Sequence, residues 1–372
     1  MEKRILITGG AGFIGSHLVD ELLEAGYRVR VLDNLTEQVH GPGAVPPDYL
    51  DPSAEFILGD VRNRAVVRRA LDGVSAVFHL AAAVGVGQSM YQVEQYTSIN
   101  NMGTATLLQE LIERPVEKLI VASSMSVYGE GLYEGHDGAF HHDARRTAAQ
   151  LAAARWEPED NAGNPLAALR TAEDKPPSLA SVYALSKYDQ ERMCLMLGEA
   201  YHFPVVALRF FNVYGPRQAI SNPYTGVLAI FASRYLNSKP PLIFEDGIQK
   251  RDFVSVYDVA RACRMALESP EATAHVVNIG SGHAYTVNEI ALRIASVMGK
   301  TDVEPRITGK YRVGDIRHCF ADIRLARDLF GYEPRVSLEE GLDGLAGWLE
   351  GRIPTDRVEE AAAELMQRGL AI

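Results

Sequence analysis

The chain has few cysteines and no long apolar run. Its 372 residues include three cysteines, Cys194, Cys263 and Cys319, which are far apart in the sequence. Their spacing matches neither a disulfide framework nor a metal site, so we expect reduced thiols, no bound metal and a cytoplasmic protein. No apolar stretch has the length that crosses a membrane. The first strand pattern begins so early that we expect no signal peptide.

Positive charge is also scarce. Lys and Arg number 37 against 48 Asp and Glu, for a net charge of -11, which argues against a nucleic-acid-binding surface. It does not exclude a local site for an anionic ligand. The 47% hydrophobic residues suit a globular protein of one large or two smaller domains. His141, His142 and Asp143 cluster, but with no partner motif they are better explained as the start of a solvent-facing helix.

A glycine-rich turn lies between an apolar strand pattern at residues 4–7 and an amphipathic helix pattern. Its glycines occupy positions 9, 12 and 15, which is the dinucleotide-binding fingerprint. We expect Gly9 to permit the sharp turn, Gly12 to let a pyrophosphate approach the backbone, and Gly15 to let the helix pack closely. The free N–H groups of the helix start that follows favour phosphate there.

Strand and helix patterns alternate through the first part of the chain. This alternation predicts an α/β fold, a Rossmann-type doubly wound parallel sheet with ligands at the carboxyl ends of its strands. After residue 212 the alternation loosens, which indicates a smaller C-terminal substrate-binding lobe interleaved with the last sheet elements. We therefore expect an NAD-binding domain at 1–212, mainly this lobe at 213–350, and a helical tail at 351–372. The predicted strands cover 4–7, 27–32, 56–58, 76–80, 118–122, 205–211 and 276–279, and the main predicted helices cover 64–71, 91–113, 226–236, 258–267 and 338–349.

A long polar, alanine-rich segment at 130–179 interrupts the predicted NAD-binding domain. Apart from a short helix within 143–156, capped by Asp143, we expect it to be loop. An insertion of this length is usually a lid, an interface or a mobile segment. It could line a sugar pocket, and the sequence does not choose between these roles.

Small and acidic residues follow several predicted strands at the edge where a dinucleotide would bind. Asp33 lies where a carboxylate bonds the ribose hydroxyls of NAD and repels the additional phosphate of NADP; the alternative is a plain turn cap. Asp60 is placed to meet the adenine. We predict NAD as the cofactor. The predicted cofactor-binding residues are Gly9, Gly12, Phe13, Ile14, Gly15, Asp33, Asn34, Asp60, Val61, Leu80, Ala81, Ala82, Asn100, Ser123, Tyr183 and Lys187.

Ser124, Tyr183 and Lys187 are the predicted catalytic residues. Tyr183 and Lys187 are four apart, so they share a helix face, which continues with Gln190 and Cys194. A nearby ammonium and a positively charged nicotinamide ring would both favour the phenolate. Tyr183 could then act as general base for a sugar or alcohol hydroxyl, with Ser124 bonding the same oxygen. The alternative is an ordinary amphipathic helix.

Four motifs together resemble the extended short-chain dehydrogenase/reductase family. They are TGGAGFIG at 8–15, a serine before VYG at 124–129, YxxxK at 183–187, and RFFNVYGP at 209–216. The resemblance covers nearly the whole chain except the 130–179 segment and the C-terminal tail. It implies a nucleotide-linked sugar substrate, tightly held NAD and a homodimer, whose interface would use the helix at 91–113 and the helix that carries Tyr183.

The resemblance also implies the reaction. The dehydratases and decarboxylases of this family carry a carboxylate before VYG, where this chain has Met125 and Ser126. The implied activity is therefore that of a nucleotide-sugar 4-epimerase, which oxidises C4 of a UDP- or dTDP-hexose and returns the hydride to the opposite face. Alternatives are a dTDP-L-rhamnose or other 6-deoxyhexose 4-epimerase, a UDP-glucuronate 4-epimerase, a net NAD-dependent nucleotide-sugar oxidoreductase or dehydratase, and an inactive NAD-binding regulator.

Substrate contacts carry over where the motifs align. Asn212 is expected to bond the diphosphate, Arg251 and Arg312 to bind phosphate, and Asp315 to hold the ribose, since the arginine fork suits phosphate oxygens. The alternative is that these charges form surface ion pairs. Segments 84–90 and 222–227 are expected to shape the sugar pocket. The predicted substrate-binding residues are Ser124, Ser126, Asn212, Val227, Arg251, Arg312 and Asp315.

Overall fold

A computed structural model describes residues 3–43, 45–219, 222, 226–312, 314–351, 356 and 358–371. The seventeen strands of these residues are β1 Arg4–Thr8, β2 Arg28–Asp33, β3 Glu55–Leu58, β4 Ala76–His79, β5 Lys118–Ser124, β6 Leu132–Glu134, β7 Phe140–His141, β8 Ala167–Leu169, β9 Val205–Phe210, β10 Asn212–Tyr214, β11 Leu242–Ile243, β12 Lys250–Arg251, β13 Phe253–Ser255, β14 Val276–Ile279, β15 Tyr285–Thr286, β16 Arg306–Ile307 and β17 His318–Cys319. Part of the tail predicted at 351–372, namely residues 352–355, 357 and 372, lies outside the described residues.

The described α-helices carry most of the layers that cover the sheet. They are α1 Phe13–Glu24, α2 Glu37–His40, α3 Arg64–Ala70, α4 Val86–Ser89, α5 Val93–Tyr96, α6 Gly103–Glu113, α7 Ala148–Ala152, α8 Val182–Tyr201, α9 Val227–Leu236, α10 Val256–Glu268, α11 Val287–Val297, α12 Arg324–Phe330, α13 Leu338–Leu349 and α14 Val358–Gln367. No described helix combines the length and the apolar character needed to span a bilayer.

A seven-stranded sheet in the order β3-β2-β1-β4-β5-β9-β14 forms the centre of the molecule. Every neighbouring pair in it is parallel, so the doubly wound Rossmann-type fold is confirmed. Alternate side chains enter opposite layers, as the two-residue period of a strand requires. Ile5 and Ile7 pack under α1 and α10, whereas Leu6 packs under α3 and α6. The strand order reverses at β1 and β4, which opens a crevice for a ligand there.

The C-terminal part of the chain contributes to two cores. Helix α10 and strand β14 return to the central sheet. A separate apolar cluster joins α9, α11 and α13, with Phe231, Ile294 and Leu342 at its centre. The lobe is thus interleaved with the sheet, as expected. The division of the chain into residues 1–212, 213–350 and 351–372 stays a prediction.

The helix expected over 91–113 is interrupted. A π-helical stretch, Thr97–Met102, separates α5 from α6. Within it the buried Asn100 side chain accepts from Ala83 N at 2.8 Å and donates to Ala83 O at 3.1 Å. These bonds tie the stretch to the backbone that follows β4. The sequence pattern gave no sign of this irregular turn because the apolar positions continue across it.

Residues 130–179 are mostly irregular, as expected, but they also contain three short strands that the sequence did not predict. Strands β7, β6 and β8 form a small antiparallel sheet, and the short helix α7 is capped by Thr147 rather than by Asp143. Buried Arg146 and Arg317 attach this insertion to the C-terminal lobe. Arg317 Nη2 lies 2.6 Å from Glu157, and Arg146 Nη1 lies 2.6 Å from Glu245. The insertion is therefore a fixed part of the fold.

Candidate active site

A cleft of about 480 Å³ follows the carboxyl ends of β1, β2, β4 and β5, within the range of small-molecule and cofactor sites. No residue of the 130–179 insertion lines it, so the insertion does not form the described pocket. Nearly all predicted site residues line it together: Gly9, Gly12, Phe13, Ile14, Gly15, Asp33, Asn34, Asp60, Val61, Leu80, Ala81, Ala82, Ser123, Ser124, Ser126, Tyr183, Lys187, Asn212 and Val227.

The three glycines of the first turn have the different constraints that the motif predicts. Gly9 has φ +72°, and a Cβ there would lie 2.8 Å from Ala81 N. At Gly15 a Cβ would overlap the Gly9 carbonyl oxygen. At Gly12 it would meet only the Gly9 oxygen, at 3.3 Å, and Gly12 also lines the cleft. A Cβ there would therefore occupy space that a phosphate at the start of α1 needs.

Asp33 lies at the other side of this turn. Its carboxylate accepts from Ala11 N at 3.1 Å and from Leu35 N at 2.9 Å. It thus caps the turn, as the alternative interpretation had it, and also lines the cleft. Asp60 accepts from Asn34 and Arg62; the bonds from Arg62 outweigh burial and hold the pKa of Asp60 at about 2. Asp33 keeps lone pairs for the hydroxyls of a ribose, so the cleft fits NAD.

Ser124, Tyr183 and Lys187 meet in the middle of the cleft. Ser124 ends β5, while the other two lie one turn apart on α8, which begins at the N-cap Ser181. Burial raises the pKa of Tyr183, and the hydrogen bond with the Ser124 hydroxyl opposes that shift. Burial lowers the pKa of Lys187 to about 8. Lys187 Nζ donates to Gln190 Oε1 at 2.6 Å, and the effect of the lysine on the pKa of Tyr183 stays a prediction.

Four predicted binding residues do not line the described cleft. Asn100 uses its amide on Ala83 and Ser186, so it fixes backbone rather than facing a ligand. Arg251 donates to the carbonyls of Lys250 and Arg317.

Two of these four residues pair with each other. Arg312 Nη2 lies 2.9 Å from Asp315, and its guanidinium stacks over the Phe244 ring at 4.6 Å. In the protein without substrate, Arg251 and Arg312 therefore match the ion-pair alternative, because Arg251 Nη2 also lies 3.7 Å from Asp315. Whether they bind phosphate stays a prediction.

The sequence interpretation missed polar residues near Tyr183, the part of the cleft that we expect to be its sugar end. Gln88 Oε1 accepts from Gln38 Nε2 and from Tyr96 Oη, both at 3.1 Å. The Tyr96 ring packs edge-on against Tyr183. Val84 and Val86 beside them line the cleft, as expected for segment 84–90. Residues 223–225 of the predicted segment 222–227 lie outside the described residues.

The described residues include no group of three or more His, Cys, Asp or Glu side chains placed to hold a metal ion. Four features together define a nucleotide-dependent α/β oxidoreductase-type protein: a parallel sheet, a glycine turn, an acidic residue at the end of β2 and a Ser-Tyr-Lys set. Residues 5–280 match the model of the NAD dependent epimerase/dehydratase family. The chain belongs to this family.

Relatives match along most of their length. The dTDP-L-rhamnose 4-epimerase of Burkholderia thailandensis is 36% identical over 93% of this chain and 95% of its own. A putative UDP-glucose 4-epimerase of Methanocaldococcus jannaschii is 34% identical over 93% of this chain and 98% of its own.

Solved structures of nucleotide-sugar epimerases share the fold. The UDP-glucose 4-epimerase of Thermotoga maritima, solved with UDP-glucose, has a TM-score of 0.76 and 32% identity, covering 93% of this chain and 98% of that one. The UDP-glucuronic acid 4-epimerase of Bacillus cereus, solved with UDP-glucuronic acid and NAD, has a TM-score of 0.76 and 29% identity, covering 93% and 99%.

Proposed function

We propose that this protein is an NAD-dependent nucleotide-sugar 4-epimerase that inverts C4 of a UDP- or dTDP-linked hexose or 6-deoxyhexose. The observation that carries the proposal is the position of Ser124, Tyr183 and Lys187 in the same cleft as the glycine turn. The named activities of the relatives support it. These include epimerases of both nucleotide classes, so the sugar and base are left to experiment.

The site residues divide the work of oxidation. When bound, NAD⁺ supplies the hydride acceptor and a cationic ring that favours the tyrosine phenolate. Tyr183 Oη takes the proton of the sugar 4-hydroxyl, while Ser124 donates to the same oxygen and orients it. The Lys187 ammonium, one helical turn from Tyr183, supplies positive charge to the phenolate side. On the return step C4 of the 4-keto sugar would regain the hydride on its opposite face, and Tyr183 Oη gives the proton back to the C4 oxygen.

Elimination and decarboxylation need a further acid or base, and the described cleft offers none at its sugar end. The carboxylates that line it are Asp33 and Asp60, and both follow strands on the adenosine side of the turn. Met125 and Ser126 occupy the positions beside the catalytic serine. This arrangement supports net isomerisation over dehydration.

The experiment is incubation of the holoenzyme with separate UDP- and dTDP-sugars, including glucose, galactose, glucuronate and L-rhamnose, read by proton NMR at C4. Inversion at C4 without stoichiometric NADH supports the proposal. Loss of water, loss of carbon dioxide or release of one NADH per product would each replace it with a dehydratase, a decarboxylase or a net oxidoreductase.

We further propose that Asn212 and Val227 contact the substrate, because both line the cleft beyond Ser126. We also propose that Arg251 and Arg312 release Asp315, with which both pair, and then bind the diphosphate. Arg251→Ala is expected to raise the KM for the nucleotide sugar while the affinity for NAD⁺ is kept. An unchanged KM would remove Arg251 from the substrate site.

We also propose a homodimer. Met102, Leu185 and Met196 are 60%, 46% and 51% exposed. Asn101 and Asp189 join the π-helical stretch to α8 at 2.5 Å, so these apolar side chains lie on two adjoining helices. Large exposed apolar groups on neighbouring helices favour association.

The dimer is tested by mass. Light scattering of the wild type is expected to give twice the chain mass, and the double variant Leu185→Glu and Met196→Glu the chain mass. A wild-type monomer at micromolar concentration would end this proposal. The three cysteines are free and buried, which suits the reducing cytoplasm that we also propose.

A further inference from the structure

A buried chain of hydrogen bonds lies behind the catalytic lysine. Lys187 Nζ donates to Gln190 Oε1 at 2.6 Å, and Gln190 Nε2 donates to Thr104 Oγ1 at 2.7 Å. Thr104 Oγ1 in turn donates to Asn100 O at 2.6 Å. Gln190 and Thr104 are fully buried, and Lys187 is 3% exposed, so water does not compete for these bonds.

His79, from β4, completes this chain. Its Nε2 lies 2.8 Å from Thr104 Oγ1, and its Nδ1 lies 2.8 Å from Thr8 Oγ1. The Thr104 hydroxyl hydrogen is already given to Asn100 O, so Thr104 can only accept from His79. The neutral ring therefore carries its hydrogen on Nε2, and Thr8 donates to Nδ1. The 3.4 Å separation of Gln190 Nε2 and His79 Nε2 joins two donors and adds no bond.

The directions of these hydrogen bonds fix the orientation of the Gln190 amide. Its nitrogen must face the accepting Thr104 oxygen, so its oxygen must face Lys187. A flipped amide would place two donors against each other at Lys187 and two acceptors against each other at Thr104. The network therefore presents one oriented, uncharged acceptor to the lysine.

The other titratable groups around Lys187 do not offer such an acceptor. Burial raises the pKa of Cys194 to about 12 and lowers that of His79 to about 3, so both are uncharged near neutral pH. Glu191 is occupied by Arg209 Nη2 at 2.7 Å and by the Ser123 hydroxyl at 2.7 Å.

Tyr183 lies one turn earlier on the same helix and is itself buried. Among the described residues, the hydrogen bond that Lys187 Nζ donates is the one to Gln190 Oε1.

We propose that Gln190 is a positioning residue for Lys187: its amide oxygen, oriented by Thr104, keeps the lysine side chain charged and in place in the cleft. A neutral acceptor stabilises the ammonium without cancelling its charge, which leaves that charge for the Tyr183 phenolate. The inference rests on the catalytic role proposed for Lys187.

The test measures the titration of Lys187 directly. The cofactor-free protein is labelled with formaldehyde and cyanoborohydride over a range of pH, and methylation of the Lys187 peptide is followed by mass spectrometry. Gln190→Met removes the acceptor, so the midpoint is expected to fall by about one pH unit. Gln190→Glu adds a negative charge, so the midpoint is expected to rise.

Two further variants separate positioning from general packing. Thr104→Val removes the hydrogen bond that orients the Gln190 amide. We therefore expect the midpoint to fall by less than in Gln190→Met. Cys194→Ala changes a buried side chain one turn beyond Gln190 and is expected to leave the midpoint unchanged. A merely structural role would not move the midpoint in opposite directions in the Met and Glu variants at position 190.

An unchanged midpoint in Gln190→Met, or shifts of the same sign in the Met and Glu variants, would overturn the inference. If Gln190→Met does not fold by circular dichroism, an unchanged midpoint in the isosteric Gln190→Glu overturns it instead. Labelling needs no sugar, so failure of the epimerase proposal leaves this result readable. With an active sugar, Gln190→Met is expected to lower kcat and leave KM unchanged.

Discussion

Replacement of Arg317 by Met tests how the insertion at 130–179 is held. The Arg317 side chain is 1% exposed, and its guanidinium lies 2.9 Å from Glu245 and 2.6 Å from both Asp246 and Glu157. Glu245 is 2% exposed, so the methionine would leave a buried carboxylate with Arg146 as its remaining cation. The change fills the arginine volume with apolar atoms but removes the charge.

Removing one partner of a buried ion pair costs about 3–5 kcal/mol, because the other charge stays buried. An exposed pair contributes about 0–1 kcal/mol. Arg327 provides the matched control, since it lies 3.3 Å from Glu333 and the two side chains are 53% and 66% exposed. Arg327→Met should therefore change the free energy of unfolding by less than about 1 kcal/mol, whereas Arg317→Met should remove a large part of a total of about 5–15 kcal/mol.

Urea unfolding at pH 7 measures both variants. In the double variant Arg317→Met and Glu245→Gln the uncompensated charge is gone, so part of the lost stability should return. Equal unfolding midpoints for Arg317→Met and Arg327→Met would refute the reasoning. So would a double variant no more stable than Arg317→Met.

The pH dependence adds an internal check. Burial opposes ionisation of Glu157, but the bonds from His318 and Arg317 prevail and lower its pKa from 4.5 to about 2. A depressed carboxyl pKa stabilises the fold above the unfolded pKa, and this stabilisation disappears as the pH falls through the folded pKa. The difference between wild type and Arg317→Met should therefore be complete above pH about 4.5 and shrink towards pH about 2.

Three further predictions concern the cleft. Tyr183→Phe should lower kcat by about 10²–10⁴ with NAD⁺ affinity kept in calorimetry; full turnover would remove Tyr183 as the base. Gly15→Ala, whose Cβ would overlap the Gly9 oxygen, should lower the melting temperature, whereas Gly12→Ala should keep it and lose NAD⁺ affinity. Equal melting temperatures of the two variants would contradict this assignment. Asp33→Ala should weaken NAD⁺ binding by about 10–100-fold and reduce discrimination against NADP⁺, both read by titration, and an unchanged ratio would contradict the role of Asp33.

The central sheet could be predicted because its strands are short, apolar and separated by helix-period segments. Because the carboxyl ends of parallel strands lie at the same edge of a sheet, Asp33 and Ser124 could be assigned to one cleft beside the glycine turn. Pairs on one helix, such as Tyr183 and Lys187, follow from the helical repeat alone. All of these features depend on local pattern.

Contacts between distant segments could not be predicted in the same way. Arg317 and Glu157 are 160 residues apart, and neither stands out from the surface charges of the sequence. The Gln190 amide lies on the predicted face of Tyr183, but its partner Thr104 is on another helix. The motifs that suggested a role for Arg251 and Arg312 do not reveal that both side chains pair with Asp315. Such pairings depend on tertiary packing, and no periodic pattern in a single sequence reveals them.

The π-helical stretch Thr97–Met102 sets the direction of the side chains that follow it relative to those that precede it. An α-helix advances about 100° per residue, so a single surplus residue in a turn rotates everything before it relative to everything after it. Tyr96, ahead of the stretch, faces Gln88 and Tyr183 in the cleft, whereas Thr104, beyond it, faces His79 beneath the sheet edge. Deleting one residue between them would restore the regular repeat and turn one of these side chains away from its partner. The stretch thus keeps the sugar end and the lysine network in register.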